Sequence, residues 1–180
     1  MPDACVIAHI KGGLGNQLFC YAAARRLALV NNAELVLDTV TAFAHDVTYQ
    51  RQYALNRFHV AGRQATKKER FEPFDWYRRK VAKYLSLWQP YENRTFLSQE
   101  GRDFDPRLLT LKIVGKVYVD GYWQSERYFK DVEDIIRQDL KIIPPTDDIN
   151  RAVLAQILQT STPVAMHVRW FADASQQSPY

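Results

Sequence analysis

The chain has 180 residues, of which 47% are hydrophobic and 24% charged, with a formal net charge of +4. Those proportions belong to a folded globular protein and exclude an intrinsically disordered one; the length allows one full domain and the start of a second. No run of eighteen apolar residues offers a membrane span, and two cysteines, Cys5 and Cys20, are too few for a disulfide framework or a metal site.

In chain order, the N-terminus MPDACVIAHI carries an acid and no basic cluster, so it does not read as a secretory signal. Ala4 to Ile10 is apolar apart from His9 and rich in β-branched residues, which predicts a buried strand. Lys11-Gly-Gly-Leu-Gly-Asn-Gln-Leu-Phe19 follows, and Tyr21 to Val30 (YAAARRLALV) predicts a helix with an apolar face. Three glycines where a strand hands over to a helix let the backbone approach a ligand while the first helical amides stay free. Phosphates and sugar hydroxyls are commonly held in this way. The spacing matches neither the dinucleotide fingerprint nor the P-loop. On spacing alone, a tight turn that only permits close packing is an equal reading.

Ala33 to Asp38 (AELVLD) predicts a second strand, hence a strand-helix-strand unit and a parallel sheet. Asp38 falls at that strand's carboxyl end, the edge where open α/β sheets place their ligands. A loop with Tyr49, Arg51 and Tyr53 follows, and Leu55 to Phe58 packs back. Residues 62 to 84 carry eight Lys/Arg against three acids, with Trp76, Tyr77, Tyr84 and Trp88 interleaved or adjacent. Charge runs of this kind are usually solvated, so a solvated helical excursion over 62–90 is the plain expectation. If the patch binds, an anionic membrane surface fits better than nucleic acid, and no nucleic-acid partner is expected.

Lys116 to Gly121 (KVYVDG) alternates as a strand, and Glu126 to Leu140 predicts one helix with Phe129, Val132, Ile135, Ile136 and Leu140 on a face. Pro144-Pro145 stops it. Thr146-Asp147-Asp148 can cap a helix from Ile149 to Leu158, and Pro163 to Arg169 (PVAMHVR) predicts a strand. The fold class is α/β, a Rossmann-like parallel sheet flanked by helices. The expected division is a lobe over 1–145 and, over 146–180, a linker helix with the first strand of a second lobe.

Four ordered stretches carry a resemblance. GGLGNQLFCYA resembles the N-terminal signature of the family 11 glycosyltransferases, the α-1,2-fucosyltransferases, departing at Cys20 where Gln is usual. Tyr49 to Phe58 (YQRQYALNRF) is similar to that family's Tyr/Arg-x-Tyr-x-Leu-x-x-Phe segment, and Gly121 to Phe129 (GYWQSERYF) to its Gly-Tyr-Phe/Trp-Gln-Ser-Glu-x-Tyr-Phe segment. Met166-His-Val-Arg169 is similar to the opening of its His-x-Arg-Arg-Gly-Asp-Tyr motif. After Arg169 the usual second Arg, Gly and Asp are replaced by Trp170-Phe-Ala-Asp173, where Asp173 can stand in for the motif's Asp. Members continue well beyond this motif, so the chain resembles the N-terminal portion of such an enzyme, with its acceptor-side lobe and only the start of the donor lobe.

The resemblance implies a two-lobed GT-B enzyme that transfers L-fucose from GDP-fucose to a galactoside hydroxyl with inversion and without a metal or other cofactor. It implies a role in surface polysaccharide synthesis and a cytoplasmic setting, where the 62–90 excursion, if it binds, docks at the inner membrane; the other reading is an inactive fragment that binds glycan weakly. Negative charge grows on two phosphates as GDP leaves. Arg169, permanently charged and forked, is the expected catalytic contact, with an interlobe salt bridge as its alternative. His167 lies two residues earlier on the same strand face, either on the donor or as a satisfied core histidine. Gly13, Gly15, Asn16 and Gln17 are expected to bind substrate, the last two otherwise capping the helix. Asp38 and Asp173 are further substrate-side candidates. Asp38, Glu126 and Asp173 are candidate bases, none singled out by spacing.

Overall fold

The computed structural model describes residues 4–144 and 147–166. Two compact units make up the chain, 1–143 and 144–180.

The first unit is built on a five-stranded sheet of order β3-β2-β1-β5-β4, with every pairing parallel. The strands are β1 (Cys5–His9), β2 (Glu34–Asp38), β3 (Arg63–Gln64), β4 (Phe96–Ser98) and β5 (Lys116–Asp120). All five residues of β1 are buried, as a central parallel strand with both faces covered requires. The predicted strand-helix-strand unit is present: β1 and β2 flank α1 (Leu14–Val30) and pair in parallel, with His9 opposite Asp38. Ala22, Ala23, Ala24 and Ala28 on the buried side of α1 let the helix sit close on the sheet.

One sheet face carries the larger core, in which Val6, Ala8, Leu35, Leu37, Val117 and Val119 meet Tyr21, Leu27, Leu55, Trp123 and Tyr128. The other carries a small cluster of Cys5, Ile7, Val36, Ala65, Phe96 and Tyr118, with Phe71 and Ala82 packed on it. Ala82 belongs to α3 (Asp75–Leu87), the helix of the predicted basic excursion. The shorter helices are α2 (Thr41–Ala44), α4 (Arg107–Thr110) and α5 (Glu133–Asp139).

The single helix expected over Glu126–Leu140 is broken. Two 3₁₀ turns, Glu126–Tyr128 and Lys130–Val132, precede α5, because Phe129 and Val132 leave helical backbone. Tyr128 explains the break. It is buried against Trp123 (5.5 Å) and Phe104 (4.8 Å), and its hydroxyl accepts the Asp105 N–H (2.7 Å). Tertiary packing overrides helix propensity there.

The second unit contributes α6 (Asp148–Gln159), where Asp147 accepts the Asn150 N–H (2.8 Å) as the N-cap. Residues 163–166, expected to open a strand, have no regular structure, and the rest of that segment lies outside the described residues.

Candidate functional site

The first three of the four motif stretches come together at the carboxyl edge of the sheet. Between β1 and α1 the chain turns through Gly12, whose φ of +78° is left-handed and favours glycine. Gly13 and Gly15 are different. Neither has a positive φ, and a Cβ built on either would meet nothing within 4 Å. Internal packing does not require glycine at these two positions. Their bare backbone borders open space at the start of a 17-residue helix. The first intrahelical bond runs from the Gln17 N–H to the Gly13 carbonyl (3.0 Å), so the amides of Leu14, Gly15 and Asn16 have no acceptor within the helix.

Asn16 and Gln17, adjacent in sequence, do different work. Gln17 is 1% exposed and its amide is fully engaged. It donates to the carbonyls of Gly12 (3.0 Å) and Gln52 (2.9 Å) and accepts the Ala54 N–H (2.9 Å). It therefore latches the Tyr49–Phe58 loop to the glycine turn. Asn16 is half-buried, and its Oδ1 accepts from Gln124 Nε2 (2.6 Å), which joins the turn to the Gly121–Phe129 segment. That segment is held by Gln99, whose Oε1 accepts the N–H groups of Tyr122 (2.9 Å) and Trp123 (3.0 Å). Trp123 is buried with a left-handed φ of +52°, a strained backbone maintained by the packing of its ring on Tyr128. The strain places Tyr122 beside the turn, with Lys11 Nζ 5.1 Å from its ring centre.

Behind the turn lies a charged network that joins the ends of β1, β2 and β5. His9 Nδ1 is 2.9 Å from Asp120 Oδ1, and its Nε2 is 3.2 Å from the Thr41 hydroxyl. Lys11 donates to Asp120 (2.5 Å). Asp38 is fully buried. It accepts from the hydroxyls of Thr41 (2.6 Å) and Tyr118 (2.7 Å) and from the N–H groups of Val40 and Thr41. Arg79 from α3 donates to Thr41, pairs with Asp75 (3.0 Å) and lies 3.9 Å from Asp38. Both imidazole nitrogens of His9 and both oxygens of Asp38 are thus engaged inside the protein.

Burial alone would raise the Asp120 carboxyl, but the His9 hydrogen bond and the Lys11 ammonium outweigh it and hold the group well below the usual carboxylate range. Burial, reinforced by the Asp38 charge, pushes the Tyr118 phenol far up. A carboxyl depressed by folding adds stability above its unfolded value near pH 4, and that stability is lost as pH falls through the folded value. Denaturation midpoints measured from pH 7 to pH 2 are expected to fall less for Asp120→Asn than for the parent chain; parallel curves would show that Asp120 carries no such linkage.

Of the residues singled out from sequence, Gly13, Gly15 and Asn16 lie together at the turn, Gln17 lies directly beneath it, and Asp38 sits in the network behind. Glu126 is exposed at the start of a 3₁₀ turn, 3.9 Å from Lys130. His167, Arg169 and Asp173 lie outside the described residues. His9, Lys11, Thr41, Arg79 and Asp120 received no role from sequence. The signal that marked Asp38, a carboxylate ending a parallel strand, marks Asp120 equally. Asp103-Phe104-Asp105 also has the Asp-x-Asp spacing used by metal-dependent transferases. Here Arg107 takes both Asp105 oxygens, and no cluster of three or more metal-ligating side chains is found among the described residues.

No family model matches the chain. It is 25% identical over 170 residues to an α-1,2-colitosyltransferase of Escherichia coli, an alignment covering 91% of this chain and 53% of that protein. The chain therefore spans about half the length of this curated relative. Among solved structures, a crystal structure of the α-1,6-fucosyltransferase NodZ soaked with GDP-fucose matches with a TM-score of 0.42 and 16% identity. That match covers 88% of this chain and 56% of the other. The sequence similarity is thus to about half of a glycosyltransferase.

Proposed function

We propose that the chain forms the acceptor-side lobe of a two-lobed, inverting glycosyltransferase that moves L-fucose from GDP-fucose to a galactoside hydroxyl in a 1,2 linkage, during surface polysaccharide synthesis. The observation that carries this reading is the bare backbone of Gly13 and Gly15, bordering open space at the start of α1 where three motif segments converge. The similarity to a colitosyltransferase supports glycosyl transfer and makes GDP-colitose the second donor to assay.

In this reading the departing diphosphate gains charge as the glycosidic bond breaks, and fixed donors stabilise that charge more in the transition state than in the ground state. The free amides of Leu14, Gly15 and Asn16 and the positive end of α1 are such donors. Arg169 supplies the forked cation and His167 a second donor contact, both by resemblance. Asn16 and Gln124 offer uncharged donors and acceptors for sugar hydroxyls. Asp38 acts through the network that positions the strand ends, since its oxygens are already occupied. The face of α3 that carries Tyr77, Tyr84 and Trp88 rests on the inner membrane surface, near a membrane-borne acceptor.

The test is transfer from GDP-fucose and GDP-colitose to β-galactosides, read by mass spectrometry of the acceptor. Glycosylated product is expected; folded protein without product from either donor would leave a lobe that binds glycan at most. Gly15→Ala sharpens the test. Gly15 has ordinary helical backbone and room for a methyl, so the variant is expected to gain about 0.5–1 kcal/mol of stability. Transfer is expected to drop at least tenfold because the methyl intrudes on the ligand. A variant that is both more stable and fully active would remove the turn from the mechanism.

A further inference from the structure

Beside the glycine turn, a cavity of about 240 Å³ opens at the carboxyl ends of β1 and β5 under one flank of α3. Its floor is His9 and Asp120, and its cationic walls are Lys11, Arg79, Lys80 and Lys83, with the Trp76 ring at the side. The four cations are not equivalent. Lys11 is neutralised by Asp120 (2.5 Å), and Arg79 by Asp75 (3.0 Å) and Asp38 (3.9 Å). Lys80 and Lys83 have no carboxylate within 4.0 Å among the described residues. They are three residues apart on α3, hence neighbours on one flank of the helix. Lys80 Nζ sits 3.8 Å from the centre of the Trp76 ring.

We propose that this cavity binds the phosphate or diphosphate group of a sugar-bearing substrate, with Lys80 and Lys83 meeting its charge. Two uncompensated ammonium groups at the mouth of a concave site raise the local concentration of anions. The ligand class follows from the donor set. Lysines act as point charges with rotatable donors, which suits tetrahedral phosphate oxygens, and the Trp76 ring under Lys80 holds that ammonium at the cavity's side. The floor keeps its own ion pair, so Asp120 is screened from the incoming anion by Lys11. The choice of a sugar-linked phosphate rests on the transfer reading; the anion site itself rests on the cavity and its two free lysines.

The test is calorimetric titration of the chain with inorganic pyrophosphate, GDP and galactose 1-phosphate, and with sulfate at matched ionic strength. Lys80→Gln/Lys83→Gln and Lys83→Gln alone are the variants. Both side chains lie on exposed positions of α3, and far-UV circular dichroism confirms the fold. Saturable pyrophosphate binding is expected, weakened at least tenfold by the double change and by an intermediate factor by the single one. Tighter binding of GDP than of pyrophosphate, lost in the variant, assigns the site to the donor; tighter binding of galactose 1-phosphate assigns it to the acceptor. Absence of saturable binding, equal binding by the variants, or sulfate binding as tight as pyrophosphate would each overturn the proposal. A chain that binds pyrophosphate at these lysines but transfers no sugar keeps this site and loses the transfer reading, while transfer without such binding does the reverse.

Discussion

Replacing Asp38 by Ala is expected to destabilise the first unit by about 3 kcal/mol, the low end of the 3–5 kcal/mol lost when one partner of a buried ion pair is removed. Asp38 is 0% exposed and accepts four hydrogen bonds from Val40, Thr41 and Tyr118. Its loss leaves two hydroxyls without their acceptor beneath the sheet edge, each a desolvated polar group that water cannot reach. Arg79 keeps Asp75 at 3.0 Å, which is why the loss belongs at the low end of the range. Asp38→Asn preserves the shape and one acceptor oxygen, so it should recover part of the difference. Urea denaturation of the three proteins at pH 7 measures this. An unchanged midpoint for Asp38→Ala would mean that the network does not bear on stability. Full stability combined with abolished transfer would return Asp38 to the list of direct substrate contacts.

The core of the fold could be read from the chain because its signals are long. β1 is apolar up to its last residue, His9, α1 is rich in helix formers, and β2 repeats the apolar pattern, which together force a parallel unit. The helix starts at Leu14, earlier than the alanine-rich stretch suggests, because Gly13 and Gly15 depress helix propensity in the very turn that begins it. β3 has two residues and β4 three, too short to show a period of two. They are recruited as edge strands by neighbours already in place. The break between Tyr128 and α5 was equally illegible, because it depends on an aromatic contact made across the fold.

Residue type singled out Gly13, Gly15 and Asn16, and all three lie at the turn between β1 and α1, the two glycines against open space. Gln17 looks identical to Asn16 on paper, yet one residue of helical rotation carries it from the half-buried edge into the core, where it serves as a latch. The His9–Asp120 pair joins residues 111 apart in sequence and exists only through the parallel register of β1 on β5. No local spacing encodes such a pair.

Changing Tyr77, Tyr84 and Trp88 together to Ser is expected to reduce binding of the chain to anionic phospholipid vesicles by more than 100-fold. A surface helix normally turns its apolar stripe toward the core. α3 presents Ala82 and the buried Ser86 to the sheet, with the Ser86 hydroxyl accepting the Phe96 N–H (3.2 Å). Tyr77, Val81, Tyr84 and Trp88, spaced i, i+4, i+7 and i+11, lie on the opposite side, and all are exposed, Trp88 at 76%. Phe74 and Leu85 extend the stripe, and Arg78, Lys80 and Lys83 flank it. Aromatic residues on one face with cations beside them are the pattern of a helix lying in a membrane interface. Burying about 100 Å² of each of three rings is worth roughly 2.5 kcal/mol per ring at 25 cal/mol/Å², so losing all three exceeds a 100-fold change even if insertion is only partial. Vesicle sedimentation with and without anionic lipid measures it, and raised salt should weaken the parent chain's binding by screening the flanking cations. Transfer to a soluble galactoside should survive the change, because the stripe lies on the side of α3 opposite the sheet. A parent chain that ignores vesicles but forms dimers in solution would assign the stripe to a second copy of the chain instead.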